Sequence, residues 1–129
     1  MNRPRLLLID DEPVIADFVA SVASDCGFDP ILTSNDASFR QSFVTNRPEM
    51  VALDLGMPGM DGVELLRFLA DSGCTSAVLI ISGFDRRVLE SAFRLGEALG
   101  LPMVGPLEKP VRAHQLEELL NQVRPTLAQ

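Results

Sequence analysis

Five polar residues stand just beyond apolar runs in this chain, and their types suit phosphate chemistry. Leu6-Leu7-Leu8-Ile9 leads into Asp10-Asp11, Met50-Val51-Ala52-Leu53 into Asp54, and Val78-Leu79-Ile80-Ile81 into Ser82. A weaker run from Pro102 to Leu107 leads into Glu108-Lys109-Pro110. Carboxylates gathered in one pocket repel one another unless a cation offsets their charge. Mg²⁺ suits a few carboxylates, several waters and a phosphate oxygen, and a bound cation lowers the pKa of nearby acids. Lys109 adds a compact positive charge for an anionic ligand or a carboxylate, and Ser82 adds a hydroxyl donor. A carboxylate nucleophile, a metal, an amine and a hydroxyl together make a phosphoryl-transfer site that works through an aspartyl phosphate.

The elements that must bring these residues together follow from hydrophobic patterning. Continuous apolar tetrads between helical stretches read as buried parallel strands. Strands are expected near Arg5 to Ile9, Pro30 to Thr33, Met50 to Asp54, Ala77 to Ile81 and Met103 to Leu107. The first helix follows the acidic pair, with Pro13 in its first turn, an apolar face of Val14, Ile15, Phe18, Val19 and Val22, and Gly27 as its stop. The second starts after Ser34-Asn35-Asp36 and ends before Pro48. The third, about Val63 to Asp71, buries Leu65, Leu66, Phe68 and Leu69. The fourth begins near Asp85, carries Val88, Leu89, Ala92, Phe93 and Leu95, and extends toward Leu99 with Gly100 as its stop. The fifth, about Ala113 to Val123, buries Leu116, Leu119, Leu120 and Val123. Strand and helix alternate throughout, which predicts an α/β, doubly wound, five-stranded parallel sheet in one domain over residues 1–129. In such sheets ligands bind beyond the carboxyl ends of the strands, where all five polar residues fall.

Four segments resemble the response-regulator receiver domains of two-component signalling, of the chemotaxis-regulator kind. They are Leu8-Ile9-Asp10-Asp11-Glu12, the run from Asp54-Leu55-Gly56-Met57-Pro58 through Gly59-Met60-Asp61-Gly62, Ile81-Ser82-Gly83, and Glu108-Lys109-Pro110. They occur in order along the whole chain, which is far more specific than any one of them. The resemblance implies a flavodoxin-like receiver fold with strand order 2-1-3-4-5. It implies that Asp54 is the phosphoacceptor and that Asp10, Asp11, Asp54 and the backbone carbonyl of Gly56 bind Mg²⁺. It further implies that Lys109 contacts a phosphoryl oxygen and that Ser82 swings to hydrogen-bond the phosphoryl group. Gly83 offers its N–H there, its missing side chain leaving the approach open, and Lys109-Pro110 is cis. The implied donor is a histidine kinase or a histidine phosphotransfer protein, and the implied output is a changed surface on helix four, strand five and helix five.

Two features depart from that pattern. Pro106 stands three residues before the lysine, where receivers commonly carry Tyr or Phe. Proline has no ring to rotate and no N–H, and it suits an edge strand or a bulge. The span from Ser82 to Lys109 is also a few residues longer than usual. With the usual aromatic gone, Phe84 is a candidate to cover the phosphoryl pocket or to change burial as Ser82 moves. Other polar residues have plainer roles: Asp61 caps helix three, His114 is solvated or capping, and Glu117 and Glu118 form a solvated face. Cys26 and Cys74 fit no metal or redox spacing and read as reduced, small apolar residues.

Composition narrows the function. The net charge of −7 argues against nucleic-acid binding driven by phosphate contacts. No apolar stretch approaches the ~20 residues of a membrane helix, and the first apolar run stops at Asp10, so no signal peptide is expected and the cytoplasm is. An effector domain is not expected within the chain, which reads as a stand-alone relay or as the receiver piece of a longer regulator; pairing with a second copy is open. The protein is expected to be a phosphoacceptor with at most slow self-dephosphorylation, not a dedicated enzyme. The alternative is a receiver-fold binding or dimerisation module whose output does not need phosphate. A haloacid-dehalogenase-like phosphatase finds no support, because its nucleophile and acid would sit together at one strand end and its cap domain would need more chain.

Overall fold

Ten elements alternate along the chain in the computed structural model, which describes residues 3–59 and 61–127. Met60 of the Gly- and Pro-punctuated run, and the two residues at each chain end, lie outside the described residues. The elements are β1 (Arg5–Ile9), α1 (Pro13–Asp25), β2 (Asp29–Thr33), α2 (Asp36–Asn46), β3 (Met50–Asp54), α3 (Gly62–Asp71), β4 (Ala77–Ser82), α4 (Arg86–Ala98), β5 (Met103–Glu108) and α5 (Ala113–Val123). A short 3₁₀ turn, Arg124–Thr126, follows. The strands form one parallel sheet in the order β2-β1-β3-β4-β5.

Side chains alternate across the sheet, so each central strand feeds two cores. Leu6 and Leu8 join Met50, Ala52, Leu79 and Ile81 against Val19 and Ala23 of α1 and Leu116 and Leu120 of α5. Leu7 and Ile9 join Val51, Leu53 and Val78 against Phe39 and Phe43 of α2 and Leu65, Leu66 and Leu69 of α3. A smaller cluster of Leu55, Ile80 and Leu89 seats α4. Burial on both faces is why these strands read as unbroken apolar runs. A fully buried leucine contributes roughly 2 kcal/mol, and this packing holds even α2, whose only buried residues are Phe39 and Phe43.

Expected boundaries shift by a residue or so, as at β2, α3, β4 and β5. The helix faces need more correction. Val14, placed on the apolar face of α1, is 79% exposed. It lies in the first turn, and the face of α1 that meets the sheet is Ala16, Val19, Val22 and Ala23. In α4 only Leu89 and Gly96 are buried, and Val88 is 45% exposed. Phe68 and Leu119 are half-buried and pack at the margins of their cores. Gly27 ends α1 at φ 91, the left-handed turn that favours glycine.

Pro106 sits in a bulge on the edge strand. Val104 pairs with Leu79 and Leu107 with Ile81, so Gly105 and Pro106 together face the single residue Ile80. Gly105 has φ 83, and a Cβ there would lie 2.6 Å from Leu79 Cδ1. Lys109-Pro110 is cis, as the resemblance implied, and Gly105-Pro106 is cis as well.

Candidate functional site

β1 and β3 are neighbours in the sheet, although a helix, a strand and a second helix separate them in sequence. They mark the point where strand order reverses, the place where open α/β sheets bind ligands. Asp10 follows β1 and Asp54 ends β3. Both are buried, each 3% exposed. Carboxylate oxygens of Asp10, Asp11, Glu12 and Asp54 all lie within 4.8 Å of one another. Asp11 and Glu12 face solvent.

Backbone turns fix the two buried carboxylates. Glu12 N–H donates to Asp10 Oδ1 at 2.9 Å, and Gly56 N–H donates to Asp54 Oδ1 at 2.9 Å. Asp10 therefore orders the turn before α1, while the N-cap itself is Glu12, whose side chain makes no capping bond. A Cβ on Gly56 would stand 3.4 Å from Asp54 Oδ1 and 3.7 Å from the Ser82 hydroxyl, so glycine there leaves the mouth of the site clear.

Lys109 brings the positive charge. Its ammonium donates to Asp54 Oδ2 at 3.2 Å and to Glu12 Oε1 at 3.0 Å, and lies 3.5 Å from Asp10 Oδ2. The lysine backbone is anchored too: its N–H donates to the carbonyl of Ser82 at 2.9 Å. Ser82 is fully buried as the last residue of β4, and its Oγ accepts the N–H of Phe84 at 3.1 Å. The hydroxyl proton is left to donate elsewhere. Phe84 is 45% exposed. A Cβ on Gly83 would meet nothing within 4 Å, so the approach is open there and packing does not require glycine.

The electrostatics follow from burial and charge. Burial pushes the Asp10 carboxyl above its ordinary value, and the charge of Asp54 pushes the same way; the Glu12 N–H and Lys109 pull back without cancelling this. For Lys109, burial alone works to lower the pKa. The hydrogen bonds to Glu12 and Asp54 and the nearby carboxylate charges outweigh it, so the pKa rises and the ammonium stays protonated. The fit to a cation comes from the donors themselves: four carboxylates, two of them buried, around a single lysine. Hard oxygen donors of this kind suit Mg²⁺, with water and a phosphate oxygen completing its shell.

A family model for the response regulator receiver domain matches residues 6–121. The chain belongs to that family. Over 128 residues this receiver is 28% identical to the positive alginate biosynthesis regulatory protein of Pseudomonas aeruginosa, covering 96% of this chain and 49% of that one. It is 36% identical over 78 residues to the DNA-binding response regulator MtrA of Mycolicibacterium smegmatis, covering 60% of this chain and 34% of that one. The receiver thus spans between about a third and a half of the length of these curated relatives. Among solved structures, a sensor protein from Polaromonas sp. JS666 superposes with a TM-score of 0.81 at 27% identity, covering 98% of this chain and all of the other. The Francisella response regulator 1452 receiver domain has the same TM-score at 23% identity, covering 95% and 98%, which speaks for the fold alone. Among the described residues no helix is long and apolar enough to cross a membrane.

The structure brings Asp10, Asp11, Asp54 and Lys109 together, ties Gly56 to Asp54 and Ser82 to Lys109 by backbone hydrogen bonds, and leaves Gly83 in open space just beyond Ser82. Glu12 stands in the first motif, but the sequence assigns it no role of its own. Its signal was present, as a third acidic residue in a row after a buried strand, but nothing in the sequence shows that it reaches Lys109. Asp61 caps α3 as expected, accepting N–H groups from Val63 and Glu64. His114 is exposed in the first turn of α5 and does not cap it; Arg112 stands at that N-cap. Cys26 and Cys74 are free, and burial pushes both thiols above their ordinary pKa, away from the thiolate form.

Proposed function

We propose that this receiver takes a phosphoryl group onto Asp54 from a histidine kinase or a histidine phosphotransfer protein, with Mg²⁺ held by Asp10, Asp11, Asp54 and the Gly56 carbonyl. One observation carries most of the reading: the Lys109 ammonium is hydrogen-bonded to a buried Asp54 inside a four-carboxylate cluster. In the transfer an Asp54 carboxylate oxygen attacks phosphorus. The bond from phosphorus to the donor's imidazole nitrogen breaks, and the electron pair leaves with the imidazole. Bound Mg²⁺ supplies charge neutralisation at the phosphoryl oxygens. Gly56 N–H orients the nucleophile, and Lys109 donates to a phosphoryl oxygen. The Ser82 hydroxyl turns to the phosphoryl group, joined by Gly83 N–H, and draws the β4–α4 loop inward.

With Pro106 in place of a ring, this loop movement reaches the α4, β5 and α5 surface through Gly83 and Phe84. The aspartyl phosphate decays by slow hydrolysis at the same site, and the protein is no dedicated phosphatase. Its setting is the cytoplasm, and its output passes to an effector domain or protein, or to a second copy. DNA binding is named for the mycobacterial relative, and with a net charge of −7 this receiver leaves any such contact to its effector. Incubation with acetyl phosphate and Mg²⁺ tests the reading: intact mass gains one phosphoryl group in wild type and none in Asp54→Ala. Equal labelling of the two proteins would end it.

A further inference from the structure

Glu12 occupies an N-cap position without capping. Its backbone is extended, φ −98 and ψ 106, and its carbonyl accepts the first helical N–H, from Ala16. A side chain at that position ordinarily accepts an N–H of the first turn, which is why Ser, Thr, Asp and Asn are preferred there. The Glu12 carboxylate instead crosses to Lys109 at 3.0 Å, slightly shorter than the 3.2 Å bond from the same ammonium to Asp54. An ammonium has three donors. Two are committed to Glu12 and Asp54, and Asp10 Oδ2 stands 3.5 Å away.

We infer that Glu12 is a positioning residue that latches Lys109 in the resting state and releases it when a phosphoryl group arrives on Asp54. This rests on the reading of Asp54 as phosphoacceptor. A phosphoryl group brings new anionic oxygens to the same ammonium, which turns toward them and so draws away from one of its present partners. Asp10 is a poor candidate to give its contact up, since its side chain is only 2% exposed and water cannot replace what is lost, and Asp54 carries the incoming group itself, so its lysine contact passes to the phosphoryl oxygens. The Glu12 side chain is 59% exposed, and water can solvate it once it lets go. The Glu12–Lys109 bond therefore belongs to one state and not the other. A contact of that kind biases the equilibrium toward the state that makes it. An ion pair this open to solvent is expected to change the affinity for a phosphoryl mimic by roughly twofold to fivefold.

Lys109 is the only lysine in the chain, so selective ¹³C labelling at the lysine ε-carbon gives one side-chain signal that reports the latch directly. Wild type, Glu12→Ala and Glu12→Gln are titrated with beryllofluoride at saturating Mg²⁺, which keeps differences in cation affinity out of the comparison. The lysine signal of untreated Glu12→Ala is expected to lie toward the position that wild type reaches with beryllofluoride. Glu12→Ala is expected to bind beryllofluoride roughly twofold to fivefold more tightly. Glu12→Gln keeps the reach but loses the charge, and is expected to fall between. An unchanged or weaker affinity in Glu12→Ala, or a lysine signal that the substitution leaves in place, would overturn the latch. A wild-type protein that responds to beryllofluoride no more than Asp54→Ala overturns the phosphoacceptor reading instead.

Discussion

Burial sets the character of each charged residue in this site. Asp10 is charged, buried and close to Asp54, and its folded pKa lies above the ordinary 3.8. A carboxyl with a raised folded pKa contributes stability that is full below its unfolded value and lost as pH rises through the folded one. At neutral pH the charged Asp10 is thus a cost, and without divalent cation Asp10→Asn is expected to melt at a higher temperature than wild type. The asparagine oxygen still accepts the Glu12 N–H, so the turn is kept. A lower melting temperature would contradict this. Lys109 has the opposite sign. Its folded pKa lies above 10.5, so its contribution is complete below that value and disappears as pH rises through the raised one. Lys109→Met leaves Asp10 and Asp54 without their cation and is expected to cost on the order of 3 kcal/mol, read from urea unfolding at neutral pH. Gly83 shows that a motif residue need not be sterically required. With open space at its Cβ and no left-handed φ, Gly83→Ala is expected to leave stability within about 0.5 kcal/mol of wild type.

At the scale of elements, the strands were plain in the sequence because both faces of β1, β3 and β4 are buried, so every residue there after Arg5 is under the same demand. Helix faces were harder to place. Val14 and Val88 have the spacing of core residues but stand exposed, because periodicity says which residues share a face and not how far the sheet extends beneath it. The bulge at Gly105 and Pro106 was half legible. Proline excluded a regular ladder, but only the pairing with β4 shows two residues facing one. Gly105 combines a left-handed φ with a close neighbour in Leu79, so Gly105→Ala is expected to destabilise by about 2 kcal/mol, seen as a lower urea midpoint with an unchanged slope. The β4–α4 loop is where a signal would leave the site. Ser82→Ala is expected to accept phosphate while losing the loop's chemical-shift response. Phe84→Ala is expected to shorten the lifetime of the aspartyl phosphate. An unaltered lifetime, with the ring equally buried in free and beryllofluoride-bound structures, would reduce Phe84 to packing.

For the molecule as a whole, fold and site were legible together because the same strands create both. Four apolar runs ending in polar residues already placed Asp10, Asp54, Ser82 and Lys109 at one edge of a parallel sheet, and the receiver family accounts for that order. What stayed hidden is pairing between distant side chains: Glu12 with Lys109 is 97 positions apart, and no periodicity encodes it. The chain has no Trp and no Tyr, so the most direct test of its chemistry is mass and not fluorescence. The protein is treated with acetyl phosphate and Mg²⁺, reduced with borohydride to convert an aspartyl phosphate to homoserine, and mapped by peptide mass. The predicted result is homoserine at position 54 only, absent when Mg²⁺ is chelated. Homoserine at another carboxylate, or at none while the protein is folded and Mg²⁺ is present, would contradict Asp54 as the phosphoacceptor.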